Sequence, residues 1–265
     1  GEITEGAYDD VIRHAITKLS YLHATSTPEY RQRVIQLGES PERVLNVGAI
    51  GLDHLSRSEM MTVPALAESL NFPLTSPLLL ITYHPVTLAD EPAEASFKAL
   101  LDSLDEYPEH QVILTYPNAD DGGRQIIPLL EAYATSNPGR VLAIPSLGQQ
   151  RYLSVVKHAA AVIGNSSSGI IEVPSFDVPT VNIGVRQQGR LAAKSIINCP
   201  ANKKAIITAI NTALTRSYKS PAEKITNPYG QGDASGKIIK MIKTAKLDLM
   251  KTFYDLSENQ KADKS

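Results

Sequence analysis

The sequence predicts an α/β protein with a doubly wound, parallel sheet, and three observations carry that expectation. From Leu78 onward, short β-rich apolar runs alternate with segments whose apolar residues recur with the helical period. The runs are apolar on both alternating faces, the pattern of parallel strands covered by helices above and below. Several runs end in small or polar residues, at the sheet edge where open α/β folds gather their ligands.

Taken in order, residues 7–20 read as a helix with Val11, Ala15, Ile16 and Leu19 on one face. A strand at 22–25, a helix at 28–37 and a strand at 44–47 follow. These amount to about half of an α/β unit, because a complete one usually takes about 100 residues or more. Pro73, Ser76 and Pro77 mark a linker. Beyond it, strands are expected at 78–82, 111–116, 141–144, 161–164 and 180–183. Between them, the helix at 94–107 aligns Phe97, Leu100, Leu101 and Leu104, and Ile126, Leu129, Leu130 and Tyr133 repeat that stripe. A last helix, from Gly236 to about Lys261, carries Ile238, Ile242, Ala245 and Leu249 on one face and is expected to pack back across both lobes. The chain thus divides into a partial first lobe at 1–76, a second lobe at 77–220 and a returning C-terminal segment at 221–265.

Composition narrows the function. The 265 residues are 42% hydrophobic and 20% charged, the balance of a globular protein. A net charge of -2 lacks the basic footprint of a nucleic-acid or anionic-membrane binder. No apolar run approaches the roughly 20 residues that span a bilayer. The single cysteine, Cys199, allows neither an intramolecular disulfide nor a cysteine-built zinc site, so a reducing compartment, the cytoplasm, is expected. Histidines 14, 23, 54, 84, 110 and 158 stand singly, without metal-ligand spacing. The chain opens on Gly1 rather than Met, in what reads as a loop, and upstream residues are expected to be missing.

The sharpest local signal is the stretch from Val162 to Glu172, where a buried strand runs through Gly164, Asn165, Ser166, Ser167, Ser168 and Gly169 into a helix. Free N–H groups and hydroxyls at a helix start stabilise an anion, and a diphosphate fits. A lone serine there would be an ordinary N-cap; three serines and a glycine at a strand tip favour phosphate. Glu172, expected one turn into that helix, either compensates the dipole or accepts the two hydroxyls of a ribose. Tyr152, on the preceding connection, packs in the core or stacks on a base whose edge the Leu147 backbone reads. His84 and Asn118 each follow a strand and belong to the same edge, which makes a shared site a better reading than two structural loop residues. Arg186 either adds a charge there or is a solvated loop cation.

On the first helix, Asp10, Arg13, His14 and Thr17 share a polar stripe, and Asp9 lies four residues before Arg13. Such a stripe is commonly a solvated face; a carboxylate on a rigid helix beside an arginine also suits proton transfer. Glu2, Glu5 and His23 are further titratable candidates.

His84-Pro85, Asn118, the 164–172 stretch, Asn182 to Gln187 and Asp9 to Lys18 together resemble, in order along nearly the whole chain, the hydrolysing UDP-N-acetylglucosamine 2-epimerases of sialic acid biosynthesis. The resemblance implies a glycosyltransferase-B type fold of two Rossmann-like lobes, the first incomplete here and forming the sugar side, the second binding UDP. It implies elimination of UDP across C1 and C2 of the sugar and hydration of the resulting glycal to N-acetylmannosamine, with no NAD, other cofactor or metal.

Carried over by position, Ser166, Ser167, Ser168 and Gly169 hold the diphosphate, Glu172 the ribose, and Tyr152 with the Leu147 backbone the uracil. His84 touches the diphosphate near the leaving oxygen and counts among the catalytic candidates, and Asn118 and Arg186 complete the nucleotide side. Asp10 or Asp9, with Glu2, moves protons, Asp10 being preferred because it shares the stripe of Arg13, which orients the set. A glycine-rich loop, basic residues and a further carboxylate of the family would lie upstream of Gly1. Tyr21 stands where some members would have histidine, leaving His23 as the carried-over position. The expected partners are a nucleotide-sugar and further copies of the same chain, not nucleic acid or a membrane. A 2-epimerase acting on UDP-N,N′-diacetylbacillosamine for legionaminic acid, a transferase on the same fold, and a truncated UDP-binding module without turnover are the alternatives.

Overall fold

The computed structural model describes residues 1–5, 9–86, 93–117, 123–216, 225–248 and 250–256. The chain divides into two compact units. The described residues of Gly1–Ile3, Tyr8–Arg57 and Pro228–Ser265 form the first, and those of Thr4–Ala7 and Ser58–Asn227 the second.

In the first unit, α1 (Asp9–Leu19) is followed by β1 (His23–Thr25), α2 (Pro28–Gln36), β2 (Val44–Asn46) and α3 (Asp53–Arg57), with α10 (Ala234–Thr244) returning from the far end of the chain. β1 and β2 pair in parallel, His23 opposite Val44, so β1, α2 and β2 form one crossover unit. Thr27 caps α2, its side chain accepting from the Tyr30 N–H, and Pro28 occupies the first turn, where its missing N–H costs nothing.

The apolar stripe of α1 is not buried: Val11 is 72% and Leu19 86% exposed. The helix is instead tied down by polar contacts, Arg13 to Glu2 at 4.0 Å and Lys18 to Glu39 at 2.6 Å. The last helix ends at Thr244 rather than near Lys261, and residues 245–248 have no regular structure. Downstream, the Tyr254 N–H donates to the Gly38 carbonyl at 2.9 Å, and Tyr254 and Leu256 pack on Val34, Ile35 and Val44. Those tertiary contacts outweigh the local helical period.

The second unit holds α4 (Val63–Leu70), β3 (Leu78–Thr82), α5 (Ala93–Leu104), β4 (Gln111–Thr115), α6 (Gly123–Ser136), β5 (Val141–Ile144), α7 (Gly148–His158), β6 (Ala159–Gly164), α8 (Ser167–Ile171), β7 (Thr180–Ile183), β8 (Ile196–Cys199) and α9 (Lys203–Thr215). Among the described residues its sheet is six-stranded and wholly parallel, ordered β5-β4-β3-β6-β7-β8. That is the doubly wound order, with the chain reversing direction across the sheet between β3 and β6. Two apolar layers cover it. Phe97, Leu100, Ile126, Ile206 and Ile210 pack on one face with Leu79, Ile81 and Ile163. Leu66, Leu70, Val155 and Val173 pack on the other with Leu78, Leu80 and Val162.

The unit boundary lies at Arg57/Ser58, not at 76/77, because Leu66 and Leu70 of α4 are buried in that second layer. The expected linker is tied to the same unit: the Gln111 side chain accepts from the Thr75 and Ser76 N–H groups at 2.8 and 3.1 Å and donates to the Pro73 carbonyl at 2.7 Å. The second boundary lies at Asn227/Pro228 rather than 220/221. β8, α4 and α9 add to the elements that the sequence pattern predicts. Among the described residues no helix is long and apolar enough to cross a membrane.

Candidate functional site

Each unit contributes candidate residues. In the second unit, a cleft of about 470 Å³ opens at the C-terminal ends of the strands, lined by His84, Tyr116, Ser146, Leu147, Tyr152, Ser166, Ser168 and Glu172, among others. It lies where β3 and β6 adjoin, the reversal point at which open α/β sheets take their ligands.

Gly164 makes that junction possible. Its φ of 138° is disfavoured for other residues, and a Cβ there would sit 1.9 Å from the Thr82 carbonyl oxygen of β3. The turn after it brings Ser166 to the N-cap of α8, its hydroxyl accepting from the Ser168 N–H at 3.4 Å. α8 is short. Glu172 is its C-cap rather than a residue inside it, because Pro174 follows and a short 3-10 turn, Val173–Phe176, takes over. Dipole compensation at the helix start is therefore not its role.

Tyr152 lies within α7, not on the connection before it. Its hydroxyl donates to Ser168 Oγ at 2.7 Å, and the Ser168 hydroxyl donates in turn to Glu172 Oε2. Burial raises the Tyr152 pKa, and the Glu172 charge works in the same direction, so the phenol stays protonated. Gly169 is buried against β7: its N–H donates to the Ser166 carbonyl at 3.1 Å, its carbonyl accepts from Thr180 Oγ1 at 2.9 Å, and a Cβ would lie 2.9 Å from Thr180 Cγ2. Its place is helix-to-sheet packing; neither it nor Ser167 lines the cleft. Leu147 is buried, its carbonyl accepting from Arg151 Nε at 2.8 Å. Asn118 lies outside the described residues.

Asn165 has a role that its place in the serine motif does not assign. Buried at the tip of β6, it bonds the His84 N–H through Oδ1 at 2.7 Å and the His84 carbonyl through Nδ2 at 2.8 Å. Its own carbonyl accepts from Arg186 Nη1 at 3.1 Å and Gln187 Nε2 at 2.7 Å. The signal available in the sequence is an amide between a strand glycine and a serine cap.

In the first unit, Arg13 gathers three carboxylates. It pairs with Asp9, with Asp10 at 3.2 Å and with Glu2 at 4.0 Å, while His14 Nε2 lies 3.5 Å from Asp10 Oδ2. The Asp10 and Glu2 side chains are 22% and 21% exposed against 60% for Asp9, so the first two are the more desolvated. His23 stands apart from this set, buried with Nε2 2.9 Å from the buried Glu39 carboxylate, which also binds Lys18 at 2.6 Å and Lys251 at 2.8 Å. Among the described residues no group of three or more His, Cys, Asp or Glu side chains is placed to hold a metal ion.

Comparison with known proteins gives the family. The UDP-N-acetylglucosamine 2-epimerase family model matches residues 1–243. The chain is 40% identical over 259 residues to the GDP/UDP-N,N′-diacetylbacillosamine 2-epimerase (hydrolyzing) of Campylobacter jejuni, covering 97% of this chain and 67% of that protein. It is 36% identical to the polysialic acid biosynthesis protein P7 of Escherichia coli, covering 97% and 66%. It thus spans about two thirds of the length of these relatives. An S. aureus MnaA–UDP co-structure shares the fold, with a TM-score of 0.69 at 20% identity over 89% of this chain and 62% of that one. The architecture is of the glycosyltransferase-B type. With a parallel sheet wound about a strand-tip cleft and a family match that runs through both units, the chain belongs to the UDP-N-acetylglucosamine 2-epimerase family.

Proposed function

We propose that the full protein is a hydrolysing 2-epimerase that takes a UDP-linked 2-acetamido sugar and releases UDP and the free sugar with inverted configuration at C2. The observation that carries this reading is the cleft at the sheet's reversal point, where the serine turn and the Glu172 carboxylate share one wall. In this reading Ser166 holds the departing diphosphate, and His84 and Arg186, with Asn118, complete the nucleotide side. Glu172 accepts the ribose hydroxyls and the Leu147 backbone meets the uracil.

Removing the C2 proton needs a carboxylate whose position does not drift, because general-base efficiency depends on alignment. Asp10 meets that need, since Arg13 and His14 hold it and it is less exposed than Asp9. Glu2, on the same arginine, is the second proton carrier, and Asp9 supports Arg13 from the solvent side. Elimination across C1 and C2, then addition of water, closes the reaction without NAD, other cofactor or metal. The protein is further proposed to be cytoplasmic and homo-oligomeric, with no nucleic-acid or membrane partner.

UDP-N-acetylglucosamine, leading to N-acetylmannosamine for sialic acid, is the substrate the sequence motifs suggest. UDP-N,N′-diacetylbacillosamine is the second reading, and the name of the 40% identical Campylobacter jejuni relative favours it. Proton NMR of the full-length protein with each UDP-sugar in deuterated water tests both. A free manno-configured sugar carrying deuterium at C2 is expected from one of the two. UDP release that requires an added acceptor would replace the epimerase with a transferase, and UDP binding without turnover would leave only a nucleotide-binding module.

A further inference from the structure

We propose that Tyr152 is a positioning residue: acting through the Ser168 hydroxyl, it orients the Glu172 carboxylate toward the two hydroxyls of a ribose and so makes the cleft discriminate ribonucleotides from 2′-deoxyribonucleotides. The proposal rests on the reading of Glu172 as the ribose-binding group.

The direction of the hydrogen bonds carries it. A serine hydroxyl has one proton to give and lone pairs to receive. The Tyr152 hydroxyl donates into Ser168 Oγ at 2.7 Å, and the serine proton goes on to Glu172 Oε2. The relay is one-way and ends on a carboxylate. Because burial keeps the phenol protonated, its donor role persists across the ordinary pH range.

Two consequences follow. The single Ser168 proton is committed to Glu172, so this hydroxyl has none to offer a phosphate, and among the serines that line the cleft that role falls to Ser166. The Glu172 carboxylate keeps Oε1 and one further lone pair of Oε2 for a ligand. A vicinal diol offers two donors at matching spacing, and hydrogen bonds to an ionised acceptor are the stronger kind. The three residues sit on α7, on α8 and at the C-cap of α8, so the relay braces the carboxylate against a second helix. Phenylalanine in place of Tyr152 would keep the ring and remove only the first proton, leaving Ser168 free to turn.

Calorimetric titration of the full-length protein with UDP and with 2′-deoxy-UDP tests this. The wild type is expected to prefer UDP by about tenfold or more, the worth of one hydrogen bond to a charged group. Tyr152→Phe and Ser168→Ala should each cut that preference to about threefold or less, with the loss falling on UDP. Glu172→Gln should bring it near unity. The double variant Tyr152→Phe/Ser168→Ala should lose no more than either single one, because both interrupt the same relay. A wild type that does not distinguish the nucleotides would remove the ribose reading and the relay with it. If the wild type and Glu172→Gln behave as expected but Tyr152→Phe keeps the full preference, the relay is overturned while Glu172 remains the ribose group. A Tyr152→Phe variant that weakens both nucleotides equally also counts against it, since a loosened fold lowers affinities without changing their ratio.

Discussion

The Asn165 side chain clasps the His84 backbone from both sides, its oxygen 2.7 Å from the His84 nitrogen and its amide nitrogen 2.8 Å from the His84 carbonyl oxygen. With Arg186 and Gln187 on its own carbonyl, this one residue joins the tips of β3 and β6 to the loop after β7. It spans the reversal point of the sheet.

Asn165→Ala removes both hydrogen bonds by which the side chain holds the buried His84 backbone. A cost of about 1–3 kcal/mol is expected, from two lost hydrogen bonds at about 0.5–1.5 kcal/mol each. Urea unfolding measures it. UDP affinity should fall as well, because His84 loses its anchor; unchanged stability and affinity would show that the clasp is dispensable.

Gly164→Ala places a methyl group on the Thr82 carbonyl at a backbone angle that alanine resists. A loss of about 3 kcal/mol or more is expected, strain and overpacking together. Gly184→Ala is the control: φ is 74° there, but a Cβ meets nothing within 4 Å, so about 1–2 kcal/mol is expected. Thermal melts compare the two, and equal losses would contradict the steric account.

The Glu39 cluster sets an acid limit on the first unit. Burial works to raise the Glu39 pKa, but bonds from Lys18, Lys251 and His23 outweigh it and hold the pKa below its ordinary 4.5. Burial also lowers the His23 pKa below 6.5, more than the attraction of Glu39 raises it. In both cases the unfolded chain binds protons more readily than the folded one, so stability falls with falling pH. The decline should begin as pH drops through 6.5, from His23, and continue below 4.5, from Glu39. Glu39→Gln should cost on the order of 2–3 kcal/mol, less than a fully buried pair loses because Lys18 and Lys251 keep some contact with water. It should also flatten the part of the curve below 4.5. Melting temperature against pH for wild type and variant checks the sign.

Asp10→Asn in the full-length protein should lower kcat by about a hundredfold or more while leaving KM within a few-fold, as loss of a proton carrier does. Asp9→Asn should cost at most about tenfold in kcat, since its carboxylate is largely in solvent. Steady-state kinetics with the accepted UDP-sugar measures both, and equal losses would leave no distinction between the two aspartates.

Much of the second unit is legible in the sequence. The buried runs at 78–82, 111–115 and 180–183 emerge as strands within a residue or so of where their apolar patterns put them. The apolar stripes of α5 and α6 supply Phe97, Leu100, Ile126 and Leu130 to the core. The helix at 203–215 is an addition of the structure, although Ile206, Ala209, Ile210 and Ala213 make a clear stripe; α4 is harder to read because only Leu66 and Leu70 mark its buried face. The exposure of Val11 and Leu19 is not legible at all: a period says which side of a helix is apolar, not whether anything covers it.

The amino-acid order by itself determined which segments are strands and helices and which strand tips carry polar residues, because propensity and periodicity act over a few neighbours. Tertiary structure decided which of those tips meet. His84 reaches Asn165 across 81 residues, and Tyr152 reaches Glu172 only through Ser168, 16 residues along the chain. Such pairings depend on how β3, β6, α7 and α8 pack, and packing is a property of the whole core, settled by burial and hydrogen bonding summed over contacts distant in sequence.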